Sequence, residues 1–84
     1  MPNIEVYATQ TSPYCRMAEA LLERKGAEYT KIFIDGDADA WAKMEARSKR
    51  KTVPQIFIGD LHVGGFDDLS ALNAAGELDP LLEQ

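Results

Sequence analysis

Apolar and polar positions along the chain switch repeatedly between strand-like alternation and helical spacing. Ile4, Val6 and Ala8 alternate with Glu5, while Tyr7 is itself apolar, which predicts a strand over residues 4–8 covered on both faces. From Pro13 the spacing lengthens. Cys15, Ala18, Leu21 and Leu22 share one face of a helix predicted to end near Lys25, with Gly26 as its left-handed stop. Residues 29–34 read as a second strand. Strand, helix, strand with short connections is a βαβ unit, so these two strands are expected to be parallel. After the turn Asp35-Gly36-Asp37, either Asp37 or Asp39 can cap a second helix to about Ser48, with Trp41, Met44 and Ala40 toward the core. Residues 48–51 form a polar, basic connection. Residues 53–58 are a third strand, Gly59-Asp60 a tight turn, and residues 61–63 a short antiparallel fourth strand. Gly64-Gly65 breaks that strand. A third helix over residues 66–75 buries Leu69 and Leu72, Gly76 stops it, and residues 78–83 make a last helical turn.

This order, βαβαββα plus a short C-terminal helix, is an α/β arrangement with a four-stranded mixed sheet flanked by helices. The 84 residues make a single domain with no repeat or linker. A net charge of −5 argues against nucleic-acid binding, and no apolar run approaches a membrane span. The N-terminal residues lack the basic and apolar segments of a signal peptide, and a single cysteine forms no internal disulfide. These features together favour a cytoplasmic protein stabilised by its core.

The stretch that carries chemistry is Thr11-Ser12-Pro13-Tyr14-Cys15-Arg16. Pro13 suits a first helical position, which places Ser12 at the N-cap, before unpaired N–H groups and the positive end of the helix dipole. A thiol at position 12 would be driven toward thiolate. The chain has a hydroxyl there instead, and its only thiol is Cys15.

Ser12-Pro13-Tyr14-Cys15 resembles the Cys-Pro-Tyr-Cys active turn of glutaredoxins, small thioredoxin-like proteins. Thr52-Val53-Pro54, Gly64-Gly65-Phe66-Asp67-Asp68 and the tail from Gly76 to Leu82 extend that resemblance over nearly the whole chain. The resemblance implies a thioredoxin-like fold and glutathione-dependent thiol–disulfide exchange on glutathionylated or disulfide-containing protein substrates, by a monomer. It places the nucleophile at position 12 and its resolving partner at Cys15. Serine in place of that nucleophile implies a nearly inactive chain, and the competing class is a non-catalytic glutathione-binding or docking module. A cluster shared with glutathione would need a cysteine ligand at position 12, and no metal is expected.

The resemblance further implies a cis bond before Pro54, which exposes the Val53 backbone for strand-like pairing with glutathione. Gly65, Asp67 and Asp68 would receive its γ-glutamyl end, with Asp68 as the ammonium partner. Thr52 and Tyr14 would flank the ligand, and Arg50 would supply a positive contact that relatives draw from a lysine ahead of the active turn.

Each of these residues also has a plainer reading. Ser12 is a good N-cap, Cys15 a small buried apolar residue, and Pro54 a tolerated strand start. Asp67 and Asp68 suit the capping of a helix, and Tyr14 suits an exposed turn aromatic. Arg47, Lys49, Arg50 and Lys51 fit a solvated connection, although they also sit where they could steer an anion. Ser12 as a hydrolytic nucleophile would need a base. The only histidine, His62, is expected on the surface of an edge strand away from the turn.

Overall fold

The computed structural model describes residues 2–84. Its elements are β1 (Ile4–Ala8), α1 (Pro13–Arg24), β2 (Thr30–Phe33), α2 (Ala38–Ser48), β3 (Gln55–Ile58), β4 (Leu61–Gly64), α3 (Phe66–Ala74) and α4 (Leu78–Leu82). The strands lie in the order β2-β1-β3-β4. β1 pairs in parallel with β2 and antiparallel with β3, and β3 pairs antiparallel with β4. This is the mixed sheet and the parallel βαβ unit that the spacing predicts.

The two sheet faces bury different layers. Ile4, Val6, Ala8, Ile56 and Ile58 pack with Cys15, Leu22 and Leu69 of α1 and α3. Tyr7, Ile34, Met44 and Phe57 form the second layer, under α2. β1 is therefore buried on both sides, which is why Tyr7 is apolar in an otherwise alternating run. On the α2 side Arg47 is half-buried rather than part of a solvated connection. Its Nη1 donates to Glu5 Oε1 at 3.0 Å and Tyr7 Oη at 2.9 Å, and its guanidinium lies 4.0 Å from the Phe57 ring centre. A cation over an aromatic face in a partly dry site gains from the ring quadrupole.

The helix starts follow the caps. Ser12 Oγ accepts the Cys15 N–H at 3.4 Å, and Asp37 Oδ1 accepts the Ala40 N–H at 3.0 Å, so Asp37 rather than Asp39 starts α2. The strands differ from expectation at their ends. β2 begins at Thr30, because Tyr29 turns its hydroxyl back to Glu23 at 2.7 Å. β3 begins only at Gln55, after the cis Val53–Pro54 bond and a proline that has no N–H to give a ladder. β4 runs one residue further than expected because Gly64 pairs with Ile56 across an irregularity in register.

α2 ends on Lys49, the one described non-glycine residue with a left-handed backbone (φ 61°). A Cβ in that region crowds its own carbonyl, and glycine is relieved of this. Lys49→Gly is accordingly expected to raise the unfolding free energy by ~0.5–1 kcal/mol, reduced from the full strain by the looser unfolded chain. Urea unfolding of the two proteins checks the sign; a less stable glycine variant would show that the lysine stem contributes more than the strain costs.

Candidate functional site

β1 ends at Ala8, and residues 9–12 carry the chain to the α1 N-terminus. Gln10 anchors this turn to the β2–α2 loop, its N–H reaching both oxygens of Asp35 at 3.2 Å. Ser12 is half-buried at the N-cap, and its carbonyl accepts the Arg16 N–H at 3.3 Å. No acidic residue lies in the first turn of α1, so the positive end of the helix is not neutralised there. Cys15 is fully buried in the core beside Ala18 and Leu22, and its thiol is free. Nothing in this arrangement gives Ser12 a base, since His62 is committed elsewhere.

A groove of about 210 Å³ opens beside this turn. It brings together Tyr14 from α1, Arg50, Thr52, Val53 and Pro54 from the loop before β3, and Gly65, Asp67 and Asp68 from the start of α3. Ser12 and Cys15 do not line it; the turn reaches the groove through Tyr14, whose side chain is 57% exposed. The Val53 N–H and C=O make no hydrogen bond among the described residues, which leaves an open strand-like edge in the groove wall. Phe66, which the resemblance carries only as a motif residue and not as a ligand contact, also lines the groove. Its signal was its place as the first residue of α3, directly after the glycine pair.

Asp68 occupies the position the capping reading gives it. Its Oδ2 accepts the Gly65 N–H at 2.9 Å, half of a capping box whose other half a glycine N-cap cannot supply. The same oxygen accepts from Arg50 Nη1 at 2.8 Å. Arg50 above all, and then the Gly65 N–H, hold the Asp68 carboxyl below its usual range, so it is an anion at neutral pH. The Arg50 guanidinium thus sits on Asp68 in the groove wall. The cation that reaches the stretch before the turn is Arg16, which donates to the Gln10 carbonyl at 3.4 Å.

The expectation of a surface His62 is also corrected. The ring is half-buried, tilted 31° over Phe57 at 4.9 Å, with Nε2 2.8 Å from Gln55 Oε1. Burial, and after it Arg50, disfavours its charged form. The pairing of β3 with β4 places these rings on one face, which the two-residue alternation of both strands could have revealed. Among the described residues no group of three or more His, Cys, Asp or Glu side chains could hold a metal ion. No helix there is long and apolar enough to cross a membrane.

A four-stranded mixed sheet with an N-capped turn and a cis-proline loop bordering one groove defines a thioredoxin-like protein. Within that class the chain belongs to the glutaredoxin family, whose family model matches residues 4–63. It is 53% identical over 83 residues to Glutaredoxin 3 of Escherichia coli strain K12, a match covering 99% of this chain and 100% of that protein. The solution structure of a glutaredoxin from Brucella melitensis is 50% identical with a TM-score of 0.87, covering 98% of this chain and 89% of that one. A buckwheat glutaredoxin–glutathione complex superposes with a TM-score of 0.89 at 29% identity, covering 98% of this chain and 77% of that one.

Proposed function

We propose that this chain keeps a glutaredoxin's groove for glutathione and has next to no thiol–disulfide activity of its own. The observation that carries this is the pairing of a hydroxyl at the α1 N-cap with a single, fully buried thiol. A hydroxyl forms no disulfide, and Cys15 Sγ is closed to a substrate sulfur. The parent reaction of the family runs through a thiolate at position 12. It attacks the glutathione sulfur of a glutathionylated protein, expels that protein's thiolate, and is itself released when a second glutathione takes up the bound one as glutathione disulfide. Here the first step has no nucleophile.

Glutathione fits the groove in chemical character. The unpaired Val53 N–H and C=O offer an edge to its cysteine backbone. The first-turn N–H groups of α3 suit its γ-glutamyl carboxylate, and Asp68 its ammonium, with Arg50 moving off that carboxylate as the ligand arrives. Thr52, Pro54, Gly65 and Asp67 shape the walls, and Tyr14 covers the end nearest the turn. The buckwheat glutaredoxin–glutathione complex supports the same ligand class here. The protein acts as a cytoplasmic monomer. The competing reading, a docking module that retains the groove for binding alone, is favoured by the same Ser12.

The test is a glutathione-coupled disulfide reduction assay together with an NMR titration by glutathione. No turnover, with shifts confined to the groove, is the expected result. Robust turnover that disappears with Cys15→Ser would overturn the assignment of the nucleophile. Asp68→Ala is expected to weaken glutathione binding by roughly tenfold to a hundredfold, the effect of one charge-assisted hydrogen bond. Because the Asp68 carboxyl is held low, binding stays level through neutral pH and declines only as pH falls into the acid range where that carboxyl takes up its proton. An unchanged affinity in the variant would remove Asp68 from the site.

A further inference from the structure

We propose that His62 is a positioning residue for the Thr52-Val53-Pro54 wall of the groove, acting through Gln55 from outside the groove. The inference rests on the reading of that groove as a ligand site, and neither His62 nor Gln55 lines it. Gln55 is fully buried, and its amide spans the gap between the two. Gln55 Nε2 donates to the Thr52 carbonyl at 3.0 Å and to Thr52 Oγ1 at 3.2 Å. The Thr52 carbonyl only accepts, so the amide presents its NH2 to Thr52 and its oxygen to His62. His62 Nε2, 2.8 Å from that oxygen, must therefore carry a proton.

This fixes the direction of every bond in the chain His62 Nε2–H to Gln55 Oε1, and Gln55 N–H to Thr52. The ring that starts it is itself held, stacked on Phe57, which Arg47 covers at 4.0 Å. Arg50, Asp68 and Arg47 are the charged groups around the ring, and burial with Arg50 keeps it neutral. A neutral ring with Nε2–H leaves Nδ1 bare. Without the His62 donor Gln55 Oε1 loses its partner while buried, and that cost loosens the amide's hold on Thr52. The residue next in the chain is Val53, whose free N–H and C=O form the strand-like edge.

The experiment uses isotope-labelled parent, His62→Phe and His62→Gln, read by NMR without ligand and during a glutathione titration. In the parent, the His62 ring nitrogens should report the Nε2–H tautomer. His62→Phe keeps the stack and removes the donor. It should move the Gln55 side-chain amide and the Thr52 and Val53 amides, and raise the glutathione dissociation constant roughly fivefold to tenfold. His62→Gln restores an N–H donor and should return those signals toward the parent. A merely space-filling role predicts the reverse, with phenylalanine the better substitute. A parent in the Nδ1–H tautomer overturns the proposal even where a variant fails to fold. So do unmoved Thr52 and Val53 signals in His62→Phe. A parent that binds no glutathione defeats the functional reading instead, and the ligand-free signals still decide the relay.

Discussion

Ser12→Cys is expected to turn this chain from background activity into a working glutathione-dependent disulfide reductase. The reason is electrostatic and local. Position 12 is the N-cap of α1, with the Cys15 N–H directed at its side chain and no acid in the first turn to offset the dipole. A thiol in that setting falls well below its reference pKa of about 8.5, into the range of about 3.5–7.5 seen at helix N-termini. At neutral pH much of it is thiolate, whereas an ordinary cysteine is only a few per cent ionised. The present hydroxyl meets the same field and has no accessible pKa with which to use it.

The thiolate would attack the disulfide sulfur of a glutathionylated substrate, form the mixed disulfide and expel the substrate thiolate. A second glutathione thiolate then attacks that mixed disulfide, so one glutathione disulfide leaves and the thiolate at position 12 returns. Cys15, adjacent on the same turn, offers a second route by closing a disulfide with position 12. The assay therefore compares three proteins: the parent, Ser12→Cys, and Ser12→Cys with Cys15→Ser. Both proteins with cysteine at 12 should turn over glutathionylated substrate, since glutathione replaces the resolving thiol. If the double variant were inert while Ser12→Cys worked, turnover would depend on Cys15 and the glutathione route would be excluded. If Ser12→Cys stayed at the parent's level, the helix field would be too weak to matter.

How much of this could be read from the residues differs between fold and site, for physical reasons. Element order and pairing were legible because the periodicities are local and because caps such as Ser12 and Asp37 and stops such as Gly26 and Gly76 act within a turn. Strand ends were less legible. The start of β2 depends on a tyrosine drawn to two helix carboxylates, which strand alternation does not show. The groove's lining followed from the resemblance. What the sequence hid was the pairing of charges across it. Arg50 and Asp68 are far apart in the chain, and only the folded loop shows that one neutralises the other. Arg47, Gln55 and His62 looked like surface or strand residues because their partners lie on neighbouring strands. Register decides such contacts, and a one-residue slip would send them to the opposite face.

Gly64→Ala should be the most damaging of the glycine-to-alanine changes and should act through Asp68. Gly64 closes β4 with φ at +117°, a region that side-chain-bearing residues rarely enter. Holding alanine there costs on the order of 1–3 kcal/mol. A second cost comes from contact. The added Cβ would overlap Asp68 Oδ2 and lie 3.0 Å from Arg50 Nη1. The carboxylate must move, and in moving it releases both the Gly65 N–H at the start of α3 and the Arg50 guanidinium. The sum is about 3 kcal/mol, a large share of the ~5–15 kcal/mol that holds a domain of this size together. Gly59→Ala supplies the control. Gly59 is also left-handed, at φ +59°, but no described residue lies within 4 Å of its would-be Cβ, so it should show only a backbone cost of about 1 kcal/mol. Urea unfolding separates the two, and placing Gly64→Ala in an Asp68→Ala background isolates the contact. There the alanine penalty should shrink toward its backbone part, because the displaced carboxylate is gone. Equal losses at positions 59 and 64, or a penalty unchanged when Asp68 is removed, would show that the α3 cap and the Arg50 pair do not depend on the bare backbone at Gly64.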